Sequence, residues 1–92
     1  MNKQSDLPLP KVTFSTFILS LTSSALMSLG EVPDPNNKKT KPNKLLAKHN
    51  IDLLNMLQEK TKGNLDSQEQ QMLEQMLFEL KMKYVQIFGE KN

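Results

Sequence analysis

From Val12 to Gly30 the chain runs for nineteen residues without a charge. A stretch of that kind is a helix buried on nearly all sides, or a segment meant for a membrane or translocon. At about 100° per residue, Phe14, Phe17, Ile18, Leu21, Ala25 and Leu29 share one helical face. Val12, Leu19 and Leu26 form a second stripe on roughly the opposite side. Seven hydroxyl residues fill the space between: Ser15, Thr16, Ser20, Thr22, Ser23, Ser24 and Ser28. Such side chains bond their own helix carbonyls and let a neighbouring backbone come close. Thr13 is the expected N-cap and Gly30 the expected left-handed residue just past the end. Pro33 and Pro35 block any continuation.

The rest of the chain bounds what this helix can pack against. Ninety-two residues make one domain. A chain this short buries only about 60–65% of the surface that it exposes when unfolded. There is no cysteine, so neither a disulfide nor a thiolate metal site adds to the core. Oligomerisation is the remaining common route to stability. The lack of cysteine fits a reducing, cytoplasmic location. All twelve basic residues are lysines, and the net charge is only +2. Without arginine the usual bidentate readers of guanine and phosphate are missing, which argues against nucleic acid.

Two more helices follow, and no run alternates with period two over the length of a strand. The expected domain covers 12–88, with helices at about 14–29, 44–61 and 67–88. Residues 1–11 and 89–92 read as tails, and 30–43 as a long loop rich in Pro, Asn and Lys. The second helix takes Asn43 as its N-cap. Its apolar residues, Leu45, Leu46, Ala47, Ile51, Leu53, Leu54, Met56 and Leu57, cover about two-thirds of its circumference, so it must touch two partners. The third opens with Asp66-Ser67-Gln68-Glu69, a capping box. Its main stripe is Met72, Leu73, Met76, Leu77, Leu80, Tyr84, Ile87 and Phe88, and Phe78, Met82 and Val85 form a second. The short connection at 62–65 makes helices two and three an antiparallel hairpin. The expected fold is thus all-α, three helices completed by homo-oligomerisation.

FSTFILSL at 14–21, LGEVPDP at 29–35, LAKHNIDLLNML at 46–57, EKTKGNL at 59–65 and LFELKMKYV at 77–85 stand in this order. They resemble a family of short bacterial proteins known as a domain of unknown function. The resemblance covers about 14–85. It implies a small cytosolic helical protein and carries no established activity. It also places the first helix inside the family's unit, which counts against a removable leader. The arginine usual near the end of the third helix is Lys81 or Lys83 here.

Few residues offer chemistry. His49 is the only histidine, and it stands three residues before Asp52. Half a metal site completed by a second chain is a weak alternative, because carboxylate bundles use Glu-x-x-His, not His-x-x-Asp. Acid–base work by His49 needs a second positioned group and a pocket, and the sequence points to neither. No catalytic activity and no cofactor are expected. Lys38, Lys39, Lys41, Lys44 and Lys48 cluster in the loop and at the start of helix two. An anion, nucleotide or nucleic acid is the alternative ligand there. No aromatic residue stands among these lysines to stack a base, and there is no glycine-rich phosphate loop.

A membrane-associated or exported chain using 12–30 is the second alternative. Lys3 and Lys11 precede the apolar run, and Ser23-Ser24-Ala25 or Ser28-Leu29-Gly30 resembles a cleavage site. The seven hydroxyls dilute it, and it falls short of the ~20 apolar residues that span a bilayer. The reading that the residues favour is a protein-interaction or structural module that pairs first with itself and then with some other protein. Its interface candidates are Phe14, Phe17, Ile18, Leu19, Leu21 and Leu26 on helix one, with Phe78, Met82 and Val85 on helix three.

Overall fold

A computed structural model of the protein describes residues 9–31 and 41–89. They form three helices, α1 (Phe14–Ser28), α2 (Lys44–Lys60) and α3 (Ser67–Phe88), with no strand among the described residues. The observed ends lie within one residue of those expected from the sequence.

Each start is set by a side chain that satisfies an orphan backbone donor. Thr13 accepts from the Thr16 amide at 3.0 Å, and Thr16 Oγ1 accepts from the Thr13 amide at 3.1 Å. This is a capping box with threonine at both positions. Asn43 accepts from the Leu46 amide. Asp66 and Glu69 close the expected reciprocal box at 2.8 and 3.0 Å. The end of α1 is a full Schellman turn. The Gly30 amide donates to the Met27 carbonyl, and the Glu31 amide to the Leu26 carbonyl. Gly30 takes φ +78°, the left-handed conformation such a turn demands.

The helices meet at one core. Ile18, Ala25 and Leu29 come from the first helix and its cap, Ala47, Ile51 and Leu54 from α2, and Leu73, Leu77, Leu80 and Tyr84 from α3. Each helix contacts both others. Tyr84 is buried and packs at a tilt on Phe88, ring centroids 4.9 Å apart. The main stripe of α3 faces inward throughout, as its periodicity predicts. The apolar arc on α2 touches both α1 and α3, as expected, while Leu45, Leu46 and Met56 at its edges stay exposed.

One end of the bundle carries the polar ties. The Asn43 amide donates to the Ser28 carbonyl at 2.7 Å, so α2 begins where α1 stops. Asn50 Nδ2 donates to Ser28 Oγ, which in turn donates to the Ala25 carbonyl. Lys83, near the end of α3, pairs with Glu31 at 2.9 Å. Hence α1 and α3 run in the same direction and α2 runs against both.

Within the single chain α1 is not covered on all sides, since Phe17, Leu19, Ser20 and Ser23 are exposed, as expected of a second stripe that an unpaired copy leaves open. Val12, expected on that stripe, lies outside the helix and is fully exposed. One expectation needs correction: Ile18 is an interior residue at 1% exposure, so a second chain cannot reach it. Fifteen residues of helix present only one face to two neighbours. The buried set Ile18, Thr22, Ala25 and Leu29 occupies that face, and the opposite one meets solvent. Expectations about Pro33, Pro35, Lys38 and Lys39 lie outside the described residues.

The glycines separate a conformational cost from a steric one. A Cβ on Gly30 would sit 3.0 Å from Pro42 Cγ, whereas one on Gly63, at φ +85°, would meet nothing. Gly63→Ala should cost about 1 kcal/mol and Gly30→Ala about 2–3 kcal/mol. Urea unfolding at unchanged m-value measures both, and equal losses would show that Gly30 and Pro42 are not in contact.

Candidate interaction surface

The parallel course of α1 and α3 leaves a furrow between them. Leu19, Thr22, Ser23 and Leu26 form one wall, and Met76, Glu79, Leu80 and Lys83 the other, around about 310 Å³. Its floor is closed by buried Thr22 and Leu80. Thr22 donates its hydroxyl to the Ile18 carbonyl at 2.8 Å, so it offers the furrow no open donor. What remains is an apolar groove with one acid and one base on the α3 side.

Glu79 also borders a shallower depression with Phe78, Gln71, Glu74 and Gln75. The outer stripe of α3 continues from there, with Phe78, Met82 and Val85 65, 47 and 40% exposed. Leu19 is 47% exposed on the rim of the groove. Single exposed apolar residues are ordinary, but several along one side of a small domain make a candidate interaction surface. Of the nine interface candidates, Phe17, Leu19, Phe78, Met82 and Val85 face solvent, while Phe14, Leu21 and Leu26 lie half-buried against the core. Ile18 is excluded by its burial.

The other candidate residues are dispersed or engaged. Lys48 pairs with Asp52 at 3.1 Å, a one-turn ion pair on the surface of α2. Asp52 is engaged by that pair, and His49 is exposed. Among the described residues no three of His, Cys, Asp and Glu gather into a group able to hold a metal ion. Lys41, Lys44 and Lys48 are exposed along the first turns of α2 and just before it. No helix among the described residues is long and apolar enough to cross a membrane.

Three connections escape sequence reasoning. Ser28 and Asn50 are 22 residues apart, and Glu31 and Lys83 are 52 apart, beyond any local spacing rule. The Thr13–Thr16 box is missed because its N3 residue is threonine in place of the usual Glu or Gln.

Comparison with known families matches residues 11–86 to the sequence model of DUF1844, a domain of unknown function. The chain belongs to this family. The matched span takes in all of α1 and α2 and all but the last residues of α3, so the bundle as described is the family's unit. Glu31 and Lys83, which tie α1 to α3, both fall inside the DUF1844 span. No curated protein and no solved structure matches the chain.

The two long-range ties differ in burial and should differ in worth. Asn50 is buried, so Asn50→Ala, which deprives Ser28 Oγ of its donor, should cost about 1–3 kcal/mol. Lys83 and Glu31 are each more than a third exposed, and Lys83→Gln should cost no more than about 1 kcal/mol, less in high salt. Thermal or urea unfolding ranks them, and the reverse order would make the ion pair the principal tie.

Proposed function

We propose that the protein is a small interaction module without catalytic activity, and that its first partner is a second copy of itself. The observation that carries this reading is the apolar side of the bundle. The α1–α3 groove and the outer stripe of α3 meet at Glu79, giving one surface lined by Leu19, Leu26, Met76, Phe78 and Met82. Its adaptable methionines and flat aromatic suit contact with another helix. The small core supports the same view, since a ninety-two-residue chain without disulfides gains stability by covering such a surface. A cytoplasmic location accords with the absence of cysteine.

Nothing comparable favours a ligand at the lysines. Lys48 is engaged by Asp52, and no aromatic residue stands among Lys41, Lys44 and Lys48.

Size-exclusion chromatography with light scattering on the intact chain, free of detergent, tests the reading. The expected mass is twice the 10.5 kDa of one chain. Leu19→Asp should lower the assembled fraction without unfolding the monomer, because the side chain is half exposed at the rim of the groove. A monomer at every concentration would sink self-association and leave the surface to a different protein.

A further inference from the structure

We propose that two copies pack through the outer faces of their α3 helices, antiparallel, about a two-fold axis at Phe78. The proposal rests on the self-association reading and adds to it the helix, the direction and the register.

Phe78 is the most exposed large apolar residue of the bundle's helices after Leu45, and it stands near the middle of α3. It occupies the side of that helix opposite the buried row Leu73, Leu77, Leu80 and Tyr84. Glu74 lies four residues before it and Lys81 three residues after it. At about 1.5 Å of rise per residue their heights from Phe78 are about 6 and 4.5 Å, in opposite directions. At about 100° per residue they lie roughly 40° and 60° to the same flank of Phe78.

In a two-fold antiparallel pair of helices, each flank faces the same flank of the other copy. Height is inverted, so a residue before the axis meets one after it. Glu74 therefore meets the partner's Lys81, and Lys81 the partner's Glu74. Two ion pairs would bracket a central Phe78–Phe78 contact. Neither residue forms an ion pair within its own chain among the described residues. Glu74 is held only by Gln70, whose Nε2 donates to it at 3.2 Å. On either side of the axis, Met82 would lie on the aliphatic stem of the partner's Gln75, and Val85 on that of the partner's Gln71.

The charges discriminate among the ways in which this face can meet a copy. A parallel pair turns opposite flanks toward each other, which sets Glu74 against the partner's Glu79, five residues on, and leaves Lys81 beside the partner's Gln86. Moving the antiparallel axis to Met82 joins Phe78 to the partner's Val85 but sets the two Lys81 side chains against each other. Only the Phe78-centred register satisfies both charges, and it does so twice, because the pattern is complementary to itself. A second copy is thus the occupant that this face fits. The face is narrow, so the dimer should form and dissociate with concentration rather than persist as an obligate unit.

Sedimentation equilibrium at low salt on the full chain tests the register with four proteins: wild type, Glu74→Lys, Lys81→Glu and the double variant. Each single change turns two attractions into two repulsions and should raise the dimer Kd by about ten-fold, while the double change should restore it to within about three-fold. Phe78→Ser should shift the chain to monomer. Circular dichroism and the unfolding midpoint of each variant at low concentration establish that the monomer is intact. A wild-type dimer whose Kd ignores the single changes, or whose double variant fails to recover, would overturn the Phe78 register and leave self-association standing. A wild type that stays monomeric at its highest soluble concentration would overturn both.

Discussion

A helix without a charge has nothing along its length to prevent it from sliding or rotating against its neighbours. In this bundle the constraint sits at one end of α1. The Schellman turn at Gly30 reverses the chain, Asn43 returns its amide to the Ser28 carbonyl, and Asn50 bonds the Ser28 hydroxyl. Ser28 thus receives two donors, the amide of the N-cap Asn43 at its carbonyl and the buried Asn50 side chain at its hydroxyl. Apolar contact alone tolerates a shift of a helix by a turn, whereas leaving a buried amide unpaired costs about 1–3 kcal/mol. The polar pair fixes which of the two apolar stripes of α1 turns inward, and Ile18 and Ala25 follow from it.

With α1 fixed, the direction of the other helices leaves one consequence that packing cannot avoid. Three helices in mutual contact each turn one face inward. The chain carries more apolar arc than that. On α2 the surplus is Leu45, Leu46 and Met56, on α1 it is Phe17 and Leu19, and on α3 it is Phe78, Met82 and Val85. The groove between α1 and α3 arises because these two run parallel, with the buried Thr22 hydroxyl turned back onto its own helix at the bottom. A polar floor would have called for water or a ligand. An apolar floor calls for a side chain, and this favours a macromolecular partner over a small polar one.

Much of this was legible before any coordinates. The start and stop residues Thr13, Gly30, Asn43 and Asp66 are local signals, and all act where periodicity and capping rules place them. The inward stripe of α3 is legible because it is wide and unbroken from Met72 to Phe88, whereas the opposite face mixes Phe78, Met82 and Val85 with Glu, Gln and Lys. On α1 that contrast is missing. Serine and threonine are compatible with either side, so periodicity alone does not separate core from interface there, and Ile18 is core. The Ser28–Asn50 and Glu31–Lys83 contacts were illegible for a different reason. They join residues that only the tertiary fold brings together, and each residue alone has an adequate local role as a hydroxyl or amide on a helix, or as a surface charge.

The separation between the inner and outer faces of α3 bears on how such a module can act. The two stripes share a helix but no residues: Leu73, Leu77, Leu80 and Tyr84 hold the fold, and Phe78, Met82 and Val85 lie outside it. Assembly through the outer stripe therefore draws nothing from the core, and dissociation exposes nothing that the monomer needs buried. A chain that folded only by pairing would mix the two sets, as obligate dimers do. Keeping them apart costs stability, since the outer stripe stays wet in the monomer, but it leaves the face free to exchange one helix partner for another. If the proposed pairing holds, the groove and stripe are more than a defect of a small core, because a surface that can be covered and uncovered without unfolding is what reversible binding requires.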